Sequence, residues 1–173
     1  MEREKGSELV YKGRVFNIRR WRIELPSGRE TVRDVIEHPG SVVVLPLEGD
    51  EVILVEQYRR AIGKVLLELP AGTIEDEDVM ECGRRELLEE TGYEAKSLEK
   101  LGEFYSSPGF SSEKITVLLA KEVIRRGEPP DKEHIIGVRK MPVSELLNLI
   151  KRGEIEDGKT ILSLLLYMMR DML

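Results

Sequence analysis

Two nearly continuous apolar runs, separated by a three-residue turn, place the strongest constraint on the fold. Residues 41–47 read SVVVLPL and residues 51–58 read EVILVEQY, with Glu48-Gly49-Asp50 between them. Strands that are buried on both faces have such uninterrupted apolar runs, and Gly and Asp are typical turn residues. The sequence therefore predicts a buried strand over residues 41–47 and, after the turn, a further strand over residues 51–58.

Further extended segments and three helices surround this pair. Two runs over residues 14–25 and 30–37 flank Pro26-Ser27-Gly28 and predict a long hairpin. Residues 79–91 contain no proline and precede Gly92, which predicts a helix that ends at a glycine. Other strands are predicted over residues 65–69, 98–104, 114–120 and 136–141, and other helices from Pro142 to Arg152, capped by Ser144, and over residues 159–172. The fold class is therefore α+β, with helices packed on a mixed sheet.

Composition indicates where in the cell the protein acts and which partners are unfavourable. The chain has 27 Lys and Arg against 33 Asp and Glu, so its net charge of −6 disfavours nucleic acid as a partner. The single cysteine, Cys82, excludes an internal disulfide and suits a reducing cytoplasm. The apolar stretch over residues 161–169 is shorter than the roughly 20 residues of a membrane span, and the charged N-terminus lacks a signal-peptide core. We expect a cytoplasmic protein without a membrane partner.

The predicted helix over residues 79–91 carries an acidic face. Glu86, Glu89 and Glu90 stand at i, i+3 and i+4, so their carboxylates lie on the same side of the helix. Like charges at this spacing repel, whereas Mg²⁺ prefers oxygen ligands and binds through carboxylates together with substrate phosphates. A solvated acidic face is the simpler interpretation of these three residues alone, so their surroundings decide between the two.

Those surroundings resemble the Nudix box. Residues 72–93 (GTIEDEDVMECGRRELLEETGY) contain Gly72, Glu77, Arg85 and Gly92 around the three glutamates, in the order that the box requires. One departure stands out: four residues separate Gly72 from Glu77, where the usual spacer has five. Asp78 takes the expected distance if the deletion falls later, so the role of Glu77 stays open, and the helical half is intact. The chain is identified by this pattern as a member of the Nudix hydrolase family.

The resemblance implies a fold and a metal site. The family fold is a mixed β-sheet sandwiched by helices (α/β/α), here with an N-terminal antiparallel extension. We expect residues 1–40 to form that extension, which forms the dimer in related enzymes, and residues 41–173 to form the hydrolase domain. The expected cofactor is Mg²⁺, with Mn²⁺ as a substitute. By resemblance the metal ligands are Glu86, Glu89, Glu90 and the carbonyl of Ala71, and Arg85 orients the glutamates.

Segments outside the box resemble the ADP-ribose pyrophosphatase subfamily. They are residues 56–59 (EQYR), residues 69–72 (LPAG) and residues 107–110 (SPGF), with Pro108 fifteen residues after Tyr93. The implied reaction is hydrolysis of ADP-ribose to AMP and ribose 5-phosphate by a homodimer. The implied substrate-binding residues are Arg59, Arg33, Glu113 and Gly109. Two alternatives remain: a nucleotide-sugar pyrophosphatase with another preference, such as ADP-glucose, and a non-catalytic domain that senses ADP-ribose.

The general base is expected by resemblance in the acidic loop over residues 129–134 (PPDKEH). Glu133 is the candidate base, His134 is a second one, and a box glutamate takes the role if neither acts. A different pattern, GEIEDGKT over residues 153–160, formally matches a phosphate-binding loop. It follows an amphipathic segment and not a buried strand, and its own acidic residues would repel phosphate, so we interpret it as a loop between two helices.

Overall fold

The computed structural model describes residues 1–170, which divide into two compact units. The first unit comprises residues 1–41 and 104–115, and the second comprises residues 42–103 together with the chain from 116 onward. No helix among the described residues is long and apolar enough to cross a bilayer.

The first unit contains a three-stranded antiparallel sheet of β1 (Arg3–Lys12), β2 (Asn17–Glu24) and β3 (Glu30–Glu37), in that order. The predicted hairpin is β2–β3, closed by a turn in which Gly28 has a φ of 81° and donates to the Leu25 carbonyl at 2.8 Å. Strand β1 was not predicted, because its sequence, REKGSELVYK, lacks alternation between apolar and polar residues and is almost wholly exposed. Its place in the sheet comes from pairing with β2.

The second unit holds most of a seven-stranded sheet with the main order β10-β5-β4-β9-β8, in which β6 pairs with β5 and β7 with β4. Its elements, in chain order, are β4 (Ser41–Glu48), β5 (Glu51–Arg59), β6 (Lys64–Glu68), β7 (Ala71–Thr73), α1 (Val79–Thr91), β8 (Tyr93–Tyr105), β9 (Lys114–Arg125), β10 (Ile135–Pro142), α2 (Val143–Lys151) and α3 (Gly158–Met169). The predicted α+β class, with helices on a mixed sheet and an N-terminal antiparallel sheet, is confirmed.

The core of the second unit lies between α1 and the sheet. The runs over residues 41–47 and 51–58 form β4 and β5, and their residues 42–45 and 52–55 are buried. Cys82 of α1 is buried in the same cluster as Leu87 and Leu118, as a small apolar side chain. Burial raises the pKa of the Cys82 thiol to about 12, so the thiol stays protonated at neutral pH.

One detail of the helices differs from the prediction, and one is not tested. Helix α2 begins after Pro142, which makes no side-chain capping bond, so Ser144 lies inside the helix and is not its cap. The fixed φ of proline suits it to the start of a helix, and the amide of the first helical residue, Val143, donates to the Asp50 carbonyl at 2.9 Å. The predicted end of the third helix, at residues 171–172, lies outside the described residues, and α3 is described to Met169.

Candidate active site

Helix α1 carries the acidic face and has a well-defined residue at each end. Asp78 caps its N-terminus by accepting from the Met80 amide at 2.8 Å. Gly92 ends the helix with a φ of 74° and donates to the Leu88 carbonyl at 2.9 Å. A side chain at Gly92 would also meet the Gly127 carbonyl oxygen at 2.4 Å. Asp78 is therefore a helix cap, and Glu77 remains as the acidic residue of the short spacer.

Glu86 packs against the backbone of Gly72. A Cβ atom at Gly72 would lie 1.9 Å from Glu86 Oε1, so only glycine leaves room for this carboxylate. Glu86 is 9% exposed, and burial raises the pKa of its carboxyl. The charge of Arg85 opposes that shift, and the charges of Glu89 and Glu77 add to it. The first glycine of the box thus acts by giving space to the first helical glutamate.

Glu90 is held against the same segment. Its Oε2 accepts from the Ala71 amide at 2.9 Å, and its side chain is 5% exposed. Burial raises the pKa of Glu90 to about 7, and the nearby Glu86 charge adds to the rise. Buried carboxylates of this kind are unfavourable unless a cation or hydrogen-bond donors accompany them.

Arg85 connects the acidic residues of the box. Its Nη2 donates to Glu77 Oε1 at 2.7 Å, and its Nη1 lies 2.8 Å from Glu86 Oε1 and 3.0 Å from Glu89 Oε2. These carboxylates raise the pKa of Arg85, and the hydrogen bond from Arg85 in turn lowers the pKa of Glu77. The shortened spacer therefore still brings the Glu77 carboxylate to Arg85. The structure places Arg85 against these carboxylates, and its role in orienting them stays a prediction.

The oxygens of this region fit a hard divalent cation by chemistry. Glu86 and Glu90 are buried, repel each other, and lie beside the Ala71-Gly72 backbone, where a Cβ atom would fill the space. Within residues 1–170, no group of three or more His, Cys, Asp or Glu side chains already has the geometry of a metal site. Glu86 and Glu89 point instead at the Arg85 guanidinium. A metal ion that binds there would therefore replace Arg85 as the cation next to Glu86 and Glu89.

Arg59 binds a buried carboxylate that the sequence analysis did not single out. Its Nε lies 2.8 Å from Glu68 Oε1 and its Nη2 lies 2.6 Å from Glu68 Oε2, a two-point ion pair. Glu68 is 1% exposed, and the bonds from Arg59 and Lys159 lower the pKa of its carboxyl although burial opposes that. Arg59 lies near enough to Glu90 for each charge to act on the pKa of the other. The structure thus brings Arg59 and the box together.

The N-terminus of α3 supplies the second cation of this cluster. Lys159 binds Glu68 and, at 2.8 Å, Asp157. Asp157 caps α3 by accepting from the Thr160 amide at 3.0 Å, and the Thr160 hydroxyl accepts from the Leu69 amide at 2.8 Å. This is the GKT end of the stretch that formally matched a phosphate-binding loop. The stretch runs from the loop after α2 into the first turn of α3, so Lys159 belongs to the helix, and it lies close enough to act on the pKa of Glu90.

The acidic loop before β10 is attached to the end of α1. The Asp131 amide donates to the Glu89 carbonyl at 3.0 Å. Asp131 Oδ1 then accepts from the amides of Glu133 and His134, each at 3.1 Å, and lies 3.1 Å from His134 Nδ1. Glu133 itself is exposed, and the cited bonds of this loop go to its backbone and not to its carboxylate. Asp131, which sequence reasoning missed, therefore organises the turn that presents Glu133.

Three predicted substrate-binding residues lie in the first unit. Arg33 is exposed on β3 and pairs with Glu2 at 3.0 Å. Glu113 accepts from the Ser41 and Ser106 hydroxyls, each at 2.6 Å. Gly109 lies in a turn, where an added Cβ would meet nothing within 4 Å. Their roles toward a substrate stay predictions.

Comparison with known proteins identifies the same family as the box does. The NUDIX domain matches residues 37–164. The ADP-ribose pyrophosphatase of Bacillus subtilis (strain 168) is 35% identical over 163 residues, which cover 92% of this chain and 88% of the relative. The methanol dehydrogenase activator of Bacillus methanolicus is 34% identical, over 94% of this chain and 90% of its own. The GDP-mannose pyrophosphatase of Cronobacter sakazakii is 35% identical, over 72% and 70%.

A solved structure agrees at the level of the fold. The crystal structure of an ADP compounds hydrolase superposes with a TM-score of 0.84, covering 96% of this chain and 91% of that one at 22% identity. The domain match spans well over half of the chain, and relatives above 30% identity extend over nearly all of it. The chain therefore belongs to the Nudix hydrolase family.

Proposed function

We propose that this chain hydrolyses the diphosphate linkage of ADP-ribose, giving AMP and ribose 5-phosphate. The observation that carries the proposal is the buried pair Glu86 and Glu90, held beside the Ala71-Gly72 backbone and bordered by the cations Arg85, Arg59 and Lys159. Such a region offers oxygen ligands for a metal and positive charge for a diphosphate. The choice of ADP-ribose is supported by the Bacillus subtilis relative and by the subfamily segments of the sequence.

The proposed cofactor is Mg²⁺, with Mn²⁺ as a substitute. Glu86, Glu90, Glu89 and the Ala71 carbonyl would hold it. A bound divalent cation neutralises phosphate oxygens and lowers the pKa of bound water. The residues of the chain have their own tasks: Arg85 orients the box carboxylates, Arg59 binds a phosphate, and Glu133 removes a proton from the attacking water. Arg33, Glu113 and Gly109 are proposed to bind the rest of the substrate.

A second candidate is another nucleoside diphosphate sugar as the preferred substrate. The GDP-mannose pyrophosphatase relative favours it, because its identity to this chain equals that of the ADP-ribose pyrophosphatase, although over a shorter stretch. ADP-glucose belongs to the same class. A non-catalytic domain that senses ADP-ribose fits less well, because Glu86, Glu89 and Glu90 are all retained.

We also propose a homodimer in the cytoplasm. The first unit exposes large apolar side chains on β1 and β3, which a second copy would cover: Leu9, Val10, Tyr11 and Val32. The cytoplasmic location is supported by the single, buried cysteine.

A substrate panel tests the proposal. The purified protein is given ADP-ribose, ADP-glucose, GDP-mannose, NADH, diadenosine polyphosphates and 8-oxo-dGTP with Mg²⁺, and the products are separated by chromatography. We expect ADP-ribose to have the highest kcat/KM and to yield AMP. If GDP-mannose or ADP-glucose is preferred by about tenfold or more, the second candidate replaces the first. If no substrate is cleaved with Mg²⁺ or Mn²⁺, the sensor replaces both.

A further inference from the structure

We propose that Glu68 is a positioning residue, which aims one amino group of Arg59 at the substrate diphosphate by holding the opposite edge of the guanidinium. The inference rests on the proposed function, because it requires Arg59 to bind the substrate. It adds a residue outside the Nudix box, on β6, that touches no reacting atom. Lys159, at the start of α3, is the second part of the arrangement.

The burial of Glu68 is the first argument. The side chain is 1% exposed and yet carries a charge with two cationic partners, Arg59 and Lys159. Burial alone raises the pKa of a carboxyl, but here hydrogen bonds and charges from both cations bring the pKa of Glu68 below its ordinary value. A buried ion pair gives little net stability compared with apolar packing, although breaking one is costly. A stability role alone therefore does not account for this carboxylate.

The geometry of Arg59 is the second argument. The pair with Glu68 uses Nε at 2.8 Å and Nη2 at 2.6 Å, which fixes the plane of the guanidinium. In the part of the chain that the structure describes, Nη1 of Arg59 donates to no protein acceptor. The Arg59 side chain is 37% exposed, whereas the Glu68 side chain is buried. The guanidinium therefore keeps donors that the pair with Glu68 does not use, on a side chain that is partly open to solvent.

The attachment of Glu68 is the third argument. Lys159 fixes its carboxylate, and Asp157 fixes Lys159 at 2.8 Å. The next residue, Leu69, is bonded through its amide to the Thr160 hydroxyl at 2.8 Å. Two positions further on, Ala71 donates to Glu90 at 2.9 Å. The segment from Glu68 to Ala71 therefore contacts Arg59 at one end and Glu90 of the box at the other. This sets the orientation of Arg59 relative to the box.

A double-mutant cycle tests the inference. The chain is compared with Glu68→Gln, Arg59→Ala and the double variant, by KM and kcat for ADP-ribose and by calorimetric binding of its α,β-methylene analogue. Glutamine keeps the shape of Glu68 and one acceptor but loses the charge that holds both cations. We expect Glu68→Gln to raise KM and the Kd of the analogue by about tenfold with kcat little changed, because it removes ground-state binding. In the Arg59→Ala background the same substitution should change neither value by more than about twofold.

Glu156→Gln is the matched control. It breaks the pair between Lys64 and Glu156, which also links β6 to the loop before α3 but lies exposed, so KM should stay at the wild-type value. If Glu68→Gln binds the analogue as the wild type does, the inference is wrong. It is also wrong if the two single effects multiply in the double variant and follow the loss in Tm, since that is the behaviour of a structural residue. A wild-type chain that cleaves no nucleotide sugar would instead overturn the proposed function and, with it, this inference.

Discussion

Glu90 is a carboxylate whose burial the metal-free chain tolerates at a cost. It is 5% exposed, and burial raises its pKa to about 7 from an ordinary value of 4.5. The rise in the pKa of Glu90 on folding therefore measures how unfavourable the unpaired charge is in the folded chain. A site that binds a divalent cation needs its carboxylates charged, and the energy that their burial costs is offset when the cation arrives.

The first prediction concerns the stability of the metal-free protein. A raised pKa in the folded state contributes stability that is present below pH 4.5 and is lost as the pH rises through 7. In EDTA, the free energy of unfolding should fall between pH 5 and pH 8, and Glu90→Gln should make the protein more stable at pH 8, by about 1–3 kcal/mol. Urea unfolding at both pH values measures it. Glu81→Gln, on the exposed side of α1, is the control. The prediction would be refuted if the free energy of unfolding changed equally with pH in Glu90→Gln and in the wild type.

The second prediction concerns turnover. Glu86→Gln and Glu90→Gln should each lower kcat by about a hundredfold or more with Mg²⁺, because an amide is a poor ligand for a hard cation. The fold should remain, since removing a carboxylate relieves repulsion within the box. Steady-state rates with ADP-ribose, together with circular dichroism, measure both parts. Near-normal kcat in either variant would contradict the proposed ligand set.

At the residue scale, the sequence predicts chemistry that is local and misses chemistry that is not. Glu86, Glu89 and Glu90 follow from helical spacing, and Arg85 from its place beside them. The partner of Arg59 could not be predicted, because Glu68 lies across the β5–β6 hairpin and Lys159 is 91 residues further along the chain from Glu68. The signal that could have indicated Glu68 is a charged residue at the end of an apolar run, as in KVLLE.

At the scale of the element, a glycine that is unfavourable in the helix α1 indicates a close tertiary contact. Its predicted range, residues 79–91, is the observed one, although Gly83 lowers the helix propensity of the sequence. The structure gives the reason: a Cβ atom at Gly83 would lie 2.5 Å from Leu118 Cδ1 of β9. The glycine allows the helix to approach the sheet closely. Strand β1, by contrast, depends wholly on its neighbour and has no signal of its own.

The third prediction follows from that close approach. Gly83→Ala should destabilise the protein by about 1–3 kcal/mol, although alanine is the better helix former, because the added methyl group overpacks the core. Thermal or urea unfolding of the variant measures the change. Glu81→Ala, exposed on the same helix, should be nearly neutral. Stabilisation by Gly83→Ala would mean that the Leu118 side chain moves aside without cost.

The fourth prediction concerns the loop before β10. Asp131→Ala removes the acceptor that fixes the amides of Glu133 and His134, so kcat should fall by about tenfold while KM changes little. Glu133→Gln should lower kcat further, and the double variant should be no slower than Glu133→Gln alone, because Asp131 acts through Glu133. His134→Asn keeps an acceptor and a donor and serves as the control. A larger defect in His134→Asn than in Glu133→Gln would make His134 the base.

At the scale of the whole molecule, the first unit carries apolar surface that a single chain leaves in water. Leu9 is 47% exposed and Val32 is 52% exposed, on strands of an otherwise charged sheet. We expect the protein in solution to have twice its chain mass of 19.8 kDa by light scattering. Leu9→Glu and Val32→Glu should shift it toward the monomer, because a charge at an apolar interface is costly to bury. Ile136→Glu, 60% exposed on β10, should leave the mass unchanged, and a wild-type mass near that of one chain would exclude the dimer.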